Sequence, residues 1–484
     1  VVLGLCAPAA DTTDPETLID AVLGRGARQV PNEFWVDEGT CTLSDRGREM
    51  CRLLEQATQR FISKLNIRGF PDEFEEWLAK WPHPEHRKQE IRYARDVAYV
   101  SRRQSDFKVI NIHGKREAYT AFKILRSINA RVDPYKALSG RWFKWLEKFV
   151  FELKQFAKKV PYRKLAQKVT RLTNQWPYVY VTDYSRFEAS ITETIMRLVE
   201  TQVYRAAGIP EEYIEPLLGV QILVNKKHKI RIRTKAYRQS GDMVTSMGNG
   251  ITNYVLCDTV CTEHGIEWDG LFEGDDGIIG TNKPISSEWF SDYGFVIKLE
   301  AEVEPGRLGF CSRYFSPNGT YFMSPFRIVK HGWSFTCPTN AGRNLRSEIW
   351  KAKNLSIACE FPRSPIAWAF AIKYAGEGRI LYDWWLYTKL LGMGVQVKLK
   401  KNWMYLEGVP EILEPTAVDR AEYFSIFGVS PASQIDIERQ IMRGNNLISN
   451  QNLVDVCLAE YPELGVNWEY FVVPGHVDVR TLTD

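Results

Sequence analysis

Trp268-Asp-Gly-Leu-Phe-Glu273-Gly274-Asp275-Asp276-Gly277-Ile-Ile-Gly280 is the stretch on which the reading turns. Apolar and β-branched residues predict strands over Trp268–Glu273 and Gly277–Gly280. They meet in a tight turn at Gly274-Asp275-Asp276, where Gly274 tolerates the positive φ that such turns use. An Asp- and Gly-rich hairpin is by itself an ordinary surface turn. What lies upstream decides between that reading and a chemical one.

Tyr178-Val179-Tyr180-Val181-Thr182 is a β-branched and aromatic run, hence a strand. Ser190-Ile191-Thr192-Glu193 has the form of a capping box, and Ile191, Ile195, Leu198 and Val203 supply an apolar helix face that Gly208 and Pro210 end. Gln221–Val224 and Ile230–Thr234 flank a polar turn and predict a hairpin. A second helix is predicted over Thr245–Glu263. Strand, helix, hairpin, helix, hairpin describes an α+β domain with helices on one face of a small antiparallel sheet.

Asp183 closes the first strand, and Asp275 and Asp276 sit in the later turn. If the two strands are neighbours, the carboxylates converge at one sheet edge, where they repel unless a cation lies between them. Hard oxygen donors without His or Cys favour Mg²⁺ or Mn²⁺. Two such ions about 4 Å apart activate an attacking hydroxyl and stabilise a leaving pyrophosphate.

The fixed order of further segments resembles the viral RNA-dependent RNA polymerases. Asp183-Tyr-Ser-Arg-Phe-Glu188 looks like their motif A, and Ser240-Gly241-Asp-Met-Val-Thr245-Ser-Met-Gly-Asn249, with Asn253 a turn further on, like motif B. Glu273-Gly274-Asp275-Asp276 looks like motif C, Gly294-Phe-Val-Ile-Lys298 like motif D, and Phe310-Cys311-Ser312-Arg313 like motif E. Lys115-Arg-Glu117 followed by Lys123-Ile-Leu-Arg126 resembles motif F. The texture is most similar to plus-strand RNA viruses of the tombusvirus, nodavirus and flavivirus-like groups. One departure stands in motif A, where the family has a second Asp and this chain has Glu188, which reaches about 1 Å further.

The resemblance implies roles for named residues. Asp183, Asp275 and Asp276 would hold two Mg²⁺ or Mn²⁺ ions, and Lys298 would protonate the leaving pyrophosphate. Lys115, Lys123 and Arg126 would hold the nucleotide's triphosphate. Ser240, Thr245, Asn249 and Glu188 would face its ribose, with Glu188 and Asn249 expected to bond each other. Each has a plainer alternative: surface charge for the cations, and helix surface or cap for Thr245 and Asn249.

The implied architecture is a right hand. Fingers, with an N-terminal extension, would span residues 1–175, with an insertion over 209–238. The palm would hold 176–208 and 239–315, and the thumb 316–484. The implied reaction is RNA-templated RNA synthesis in viral genome replication. A reverse transcriptase, or an inactive RNA-binding or membrane-scaffold component of a replicase, are the rival readings. Motif B argues against the first and the intact carboxylate set against the second. Expected partners are template and nascent RNA, nucleoside triphosphates, and other replicase proteins or a host membrane through segments outside this chain. The expected location is the host cytoplasm, at membrane-associated replication complexes.

Composition fits a large folded chain. Of its 484 residues 44% are hydrophobic and 25% charged, so a disordered polymer is excluded. The net charge of +4 hides a local excess, about 19 Lys/Arg against about 5 Asp/Glu between Ser101 and Gln175. That block predicts a surface for phosphates or a set of solvated helix faces. Nine scattered cysteines read as reduced thiols. Cys257, Cys261 and His264 have a loosely metal-like spacing, but on an apolar helix buried thiols are the expectation. Arg141–Lys159 predicts an amphipathic helix with Trp142, Trp145, Leu146, Phe149, Leu153 and Phe156 as a core stripe. Val1–Leu5 is too short for a signal peptide. No apolar run reaches the roughly 18 residues of a transmembrane helix.

Overall fold

The computed structural model describes residues 14–26, 36–37, 42–101, 107–115, 124–301, 308–316, 318–328, 343–374, 376, 378–400, 403–408, 412–444 and 451–460. Eight strands build its two larger sheets: β1 (Val109–Gly114), β2 (Ser127–Arg131), β3 (Tyr178–Ser185), β4 (Val220–Asn225), β5 (Ile230–Lys235), β6 (Trp268–Glu273), β7 (Asp276–Thr281) and β8 (Val296–Ala301). Four helices matter most for them: α1 (Pro15–Gly26), α2 (Asp45–Lys64), α3 (Asp133–Glu152) and α4 (Thr245–Glu263). The fold is mixed helix and sheet, as the pattern of elements predicts.

One sheet has the order β8-β3-β7-β6, antiparallel throughout. Its alternation buries Val179, Leu271 and Ile278 on one face, against the helix Tyr162–Gln175, and Tyr180, Tyr184, Phe272 and Ile279 on the other. On that second face lies α4, nearly all of which is buried from Met247 to Cys261. Beneath α4, α2 contributes Met50, Leu54 and Phe61 and α3 contributes Phe143, Leu146 and Phe149 to one continuous core. Each such large apolar side chain stabilises the fold by about 1.5–3 kcal/mol. Ser44 caps α2, its hydroxyl accepting from Gly47 N at 2.9 Å.

The second sheet has the order β2-β1-β4-β5, with β1 and β4 parallel and the other pairs antiparallel. α1 covers one face through Leu18, Ala21 and Val22 against Ile110, Ile112, Leu125 and Leu223. Beyond β8, short strands and helices enclose a separate core around Phe322, Trp350, Phe361, Phe370, Tyr423 and Ile437. Among the described residues no helix is long and apolar enough to cross a membrane.

Three local expectations need correction. The helix expected over Arg141–Lys159 begins earlier, at Asp133 with Pro134 in its first turn, and ends at Glu152. Trp145, Leu146 and Phe149 are buried on it as expected, but Phe156 lies beyond it and bridges to Phe272 beside β6. The helix after Ser190 is broken into Glu193–Leu198 and Glu200–Ala206 at Val199, and Thr192 rather than Ser190 precedes its first turn. There Glu200 enters the core to meet Arg238 and the Tyr204 hydroxyl. Asp183 lies inside β3 rather than closing it.

Candidate active site

β3 and β7 pair with Thr182 opposite Gly277, and one further step of that register sets Asp183 opposite Asp276. Directly opposed residues share a sheet face. Glu273 pairs with Asp276 across a two-residue turn of Gly274 and Asp275. Gly274 has φ +68° and Asp275 lies outside the left-handed region, the pattern of a type II′ hairpin turn. Asp183, Asp275 and Asp276 thus emerge together at one edge of the sheet, as the sequence predicts.

The carboxylates feel one another. Burial, then the charges of Glu188 and Asp276, push the Asp275 carboxyl up to about 6, against a smaller opposing pull from Arg126. Asp276 is also raised, by burial first and by Glu273 and Asp183 after it, while the Cys311 thiol pulls the other way. Both remain reachable by solvent at the turn. Glu273 is held by Lys158 at 3.2 Å and faces the Cys311 thiol at 3.7 Å. Cys311 sits with Ser312 in a tight turn, both at positive φ (51° and 60°), between the strands Leu308–Phe310 and Arg313–Phe315.

A polar clamp holds the turn from below. Asn253, fully buried on α4, donates through Nδ2 to the carbonyls of Gly274 (3.3 Å) and Asp275 (3.0 Å). Its Oδ1 accepts from the Tyr184 hydroxyl at 3.0 Å. One side chain therefore ties the turn to the residue next to Asp183. Gly250, one turn earlier on α4, leaves room for the Phe156 ring, which a Cβ there would meet at 2.9 Å.

The segment before α4 is stapled to β2. Gly241 N donates to Asn129 O at 3.1 Å, and a Cβ on Gly241 would meet that oxygen at 2.9 Å. The Ser240 hydroxyl donates to Ser127 O (2.7 Å), and the Thr245 hydroxyl to Gln239 O (2.7 Å). Arg131 Nε meets Asp242 at 2.8 Å, both buried, and Arg131 also donates to Phe107 O and Pro216 O. Both hydroxyls expected to face a ribose are thus engaged within the protein. Lys115 N donates to Arg126 O at 2.8 Å, continuing the β1–β2 pairing, so these two cations emerge side by side, and the charge of Arg126 reaches Asp275. Lys123 lies outside the described residues.

The expected bond between Glu188 and Asn249 is not made. Glu188 lies on the short helix Phe187–Ser190 and directs its charge at Asp275. Asn249 is buried on α4, and among the described residues its Oδ1 has no partner. Lys298 lies opposite Asp183 on β8, exposed and ion-paired with Glu300, which holds its ammonium above the usual lysine range. Asp183, Lys298, Ser185, Arg186 and Ile124 line a cleft of about 470 Å³. Burial pushes the Cys261 thiol up to about 12 and raises Cys257 as well, as befits buried free thiols.

A family model described as viral RNA dependent RNA polymerase matches residues 153–446. The chain belongs to that family. The matched stretch holds Asp183, Glu188, Ser240, Thr245, Asn249, Asp275, Asp276 and Lys298, while Lys115 and Arg126 precede it. Over 222 residues the chain is 25% identical to the RNA-directed RNA polymerase of Red clover necrotic mosaic virus, covering 41% of this chain and 29% of that protein. Over 163 residues it is 25% identical to the RNA-directed RNA polymerase 2a of Olive latent virus 2 (isolate Italy), covering 32% of this chain and 20% of that protein. The chain thus spans less than a third of either curated relative.

Do these residues suit a divalent cation? Among the described residues no three His, Cys, Asp or Glu side chains form a ready-made metal cage. The donors are all carboxylates, and two of them are pushed toward the neutral form by burial and by neighbouring acids. A cation relieves that repulsion. Mg²⁺ is ordinarily bound by one or two carboxylates completed by substrate phosphates and water, so an incomplete protein cage suits it. Asn253 stands out in the sequence only as part of motif B, with no role attached, and Arg186 and the Arg131–Asp242 pair carry no separate signal there. Asn253 acts on backbone carbonyls, which carry no side-chain signature.

Proposed function

We propose that this chain catalyses RNA-templated RNA synthesis from nucleoside triphosphates, with pyrophosphate released, by a two-metal mechanism. The carrying observation is the convergence of Asp183, Asp275 and Asp276 at one sheet edge, with the charge of Arg126 reaching Asp275. The sheet β8-β3-β7-β6 is the palm of a right hand in this reading, and the sheet β2-β1-β4-β5 belongs to the fingers. The elements beyond Phe315 form the thumb.

Asp183, Asp275 and Asp276 are the side chains that would hold the ions. When bound, the pair supplies activation of the 3′-hydroxyl and charge stabilisation of the departing pyrophosphate. Arg126 and Lys115, with Lys123, hold the triphosphate by charge-assisted bonds. Lys298 stores a proton in its ion pair with Glu300 and delivers it from Nζ to the pyrophosphate oxygen once that pair opens. Asn249 carries a buried, unpartnered oxygen that reads the sugar, and Glu188 lies beside the metal-binding turn. Asn253 keeps Asp275 at a constant height over Tyr184. The partners are template RNA, growing RNA and nucleotides, at host replication complexes.

Incorporation of labelled ribonucleotides on a defined RNA template, with Mg²⁺ or Mn²⁺ and with a chelator, tests the reading. Metal-dependent, template-dependent extension is expected. Extension with deoxyribonucleotides alone would point to a reverse transcriptase, and RNA binding without any extension to a scaffold.

A further inference from the structure

Six cations crowd one hairpin: Lys226, Lys227, Lys229, Arg231, Arg233 and Lys235, with no acid among residues 226–235. All six are exposed. Among the described residues none of the six side chains forms an ion pair or hydrogen bond. Such an accumulation carries an electrostatic cost unless something anionic lies against it. A charged edge strand protects a sheet from edge-to-edge pairing, and β5 is such an edge. That requirement is met by Arg231, Arg233 and Lys235 and leaves the three turn lysines unexplained.

The position of the turn supplies a reason. β4 runs parallel to β1 with Val109 opposite Ile222 and Asn111 opposite Val224. Four further steps of that register bring Lys115 level with His228 in the turn. Asn225, at the end of β4, donates to Ile112 O at 3.0 Å and accepts from His228 N at 3.1 Å, so the turn is anchored to β1. Lys115 in turn bonds Arg126, whose charge reaches Asp275. With strands ~4.8 Å apart, the turn begins roughly 10 Å from the strand that carries Arg126. A cationic rim therefore runs along one end of the sheet, from the catalytic turn to Lys229.

The opposite end of the hairpin is different. Glu211, Glu212 and Glu215 line a cleft of about 890 Å³ there with Lys108, Arg231 and Arg233. Carboxylates repel phosphates, so an anionic strand is favoured at the turn and disfavoured toward Arg233. Among the described residues Asp14 is an acid near the turn, where it feels the charge of His228. The sheet face that carries Arg231 and Arg233 presents Val220, Ile222, Val224, Asn111 and His113 between the charges, with no Phe, Tyr or Trp. It offers charge to a phosphate backbone and no stacking platform to bases.

We propose that the Lys226–Lys229 turn of the β4–β5 hairpin binds the phosphate backbone of RNA outside the catalytic cleft, as a sequence-independent continuation of the Lys115–Arg126 rim. The choice of RNA as the polyanion rests on the polymerase reading. The contact is sensitive to salt and insensitive to base sequence.

The test uses the full chain and a labelled single-stranded RNA of mixed sequence, with affinity measured by fluorescence anisotropy across a salt series. The Lys226→Ala/Lys227→Ala/Lys229→Ala variant should bind on the order of tenfold to a hundredfold more weakly near physiological salt, with a log–log salt slope shallower by about 2. Arg233→Ala should lose less than this. Asp275→Asn should bind as the unmodified chain does. The triple variant's loss should appear in the apparent KM for RNA. Unchanged affinity and slope in the triple variant would overturn the proposal. So would an unchanged RNA affinity combined with lost binding to phosphatidylserine vesicles, which would turn the hairpin toward a membrane. A chain that binds RNA through these lysines yet incorporates no nucleotide would sink the polymerase reading and leave this surface standing.

Discussion

Asn253 donates to the backbone carbonyl of Asp275 at 3.0 Å, so the geometry of the acidic turn depends on a residue of α4, 22 positions earlier. The same side chain accepts from Tyr184, the neighbour of Asp183. Asn253→Ala removes four bonds, the weak one from the Cys257 thiol included, and leaves the buried Tyr184 hydroxyl and the two turn carbonyls without this partner. Stability should fall by about 1–3 kcal/mol. The rate of incorporation should fall about tenfold or more, since misplacement by 1 Å can cost a hundredfold. Asn253→Asp keeps the shape but replaces the two N–H donors with an acceptor, so it should be no better. Melting curves and single-turnover rates check this. A turnover equal to that of the unmodified protein in both variants would show the clamp to be irrelevant to chemistry.

Arg238 and Glu200 form a buried ion pair beneath α4, at a point where only Gly248 leaves room. Removing one partner strands the other charge. Arg238→Met should therefore destabilise the fold by about 3–5 kcal/mol. Gly248→Ala should also destabilise, since a Cβ there runs into both partners. Urea unfolding midpoints measure both, and midpoints unchanged from the unmodified chain would contradict the packing described.

This pair also shows where sequence reading ends. The strand Tyr178–Thr182, the hairpin Gln221–Thr234, the helix Thr245–Glu263 and the acidic turn were all legible, because local periodicity and Gly274 determine them. The break at Val199 was not. It accompanies the burial of Glu200 against Arg238, 38 residues away, and a 3.6-residue period carries no trace of such a partner. The start of α3 was missed because the aromatic stripe drew attention downstream of Asp133-Pro134. The convergence of the three carboxylates at one sheet edge was legible from residue type and order. The bond expected between Glu188 and Asn249 was not formed, because spacing along a chain does not say which way a short helix turns.

Arg126 stands next to Lys115 at the sheet end facing Asp275. Arg126→Ala should raise the apparent KM for nucleotide, by an amount set by about 1.5–3 kcal/mol per lost charge-assisted contact. Lys123→Ala should behave alike if it shares the triphosphate. Template affinity should move much less than this. Initial rates over a nucleotide series decide it, and unchanged nucleotide KM in both variants would return them to surface charge.

Asn249 carries a buried oxygen with no partner, a group whose burial is costly unless a ligand satisfies it. Asn249→Ala should lower kcat/KM for a ribonucleotide more than for its 2′-deoxy analogue, narrowing the gap between them. Glu188→Asp, which draws a charge back from Asp275, should change the absolute rate more than the sugar ratio. Discrimination that stays constant in Asn249→Ala would place sugar selection elsewhere.

The central claim is that the Asp183–Asp275–Asp276 edge is where nucleotides are joined. Its most direct measurement is template-dependent incorporation of a single ribonucleotide by the unmodified chain and by Asp275→Asn, with RNA binding followed in parallel. The account predicts metal-dependent incorporation by the former, loss of it by several orders of magnitude in the latter, and equal RNA affinity in both. An Asp275→Asn chain that incorporates nucleotide at the unmodified rate would contradict it.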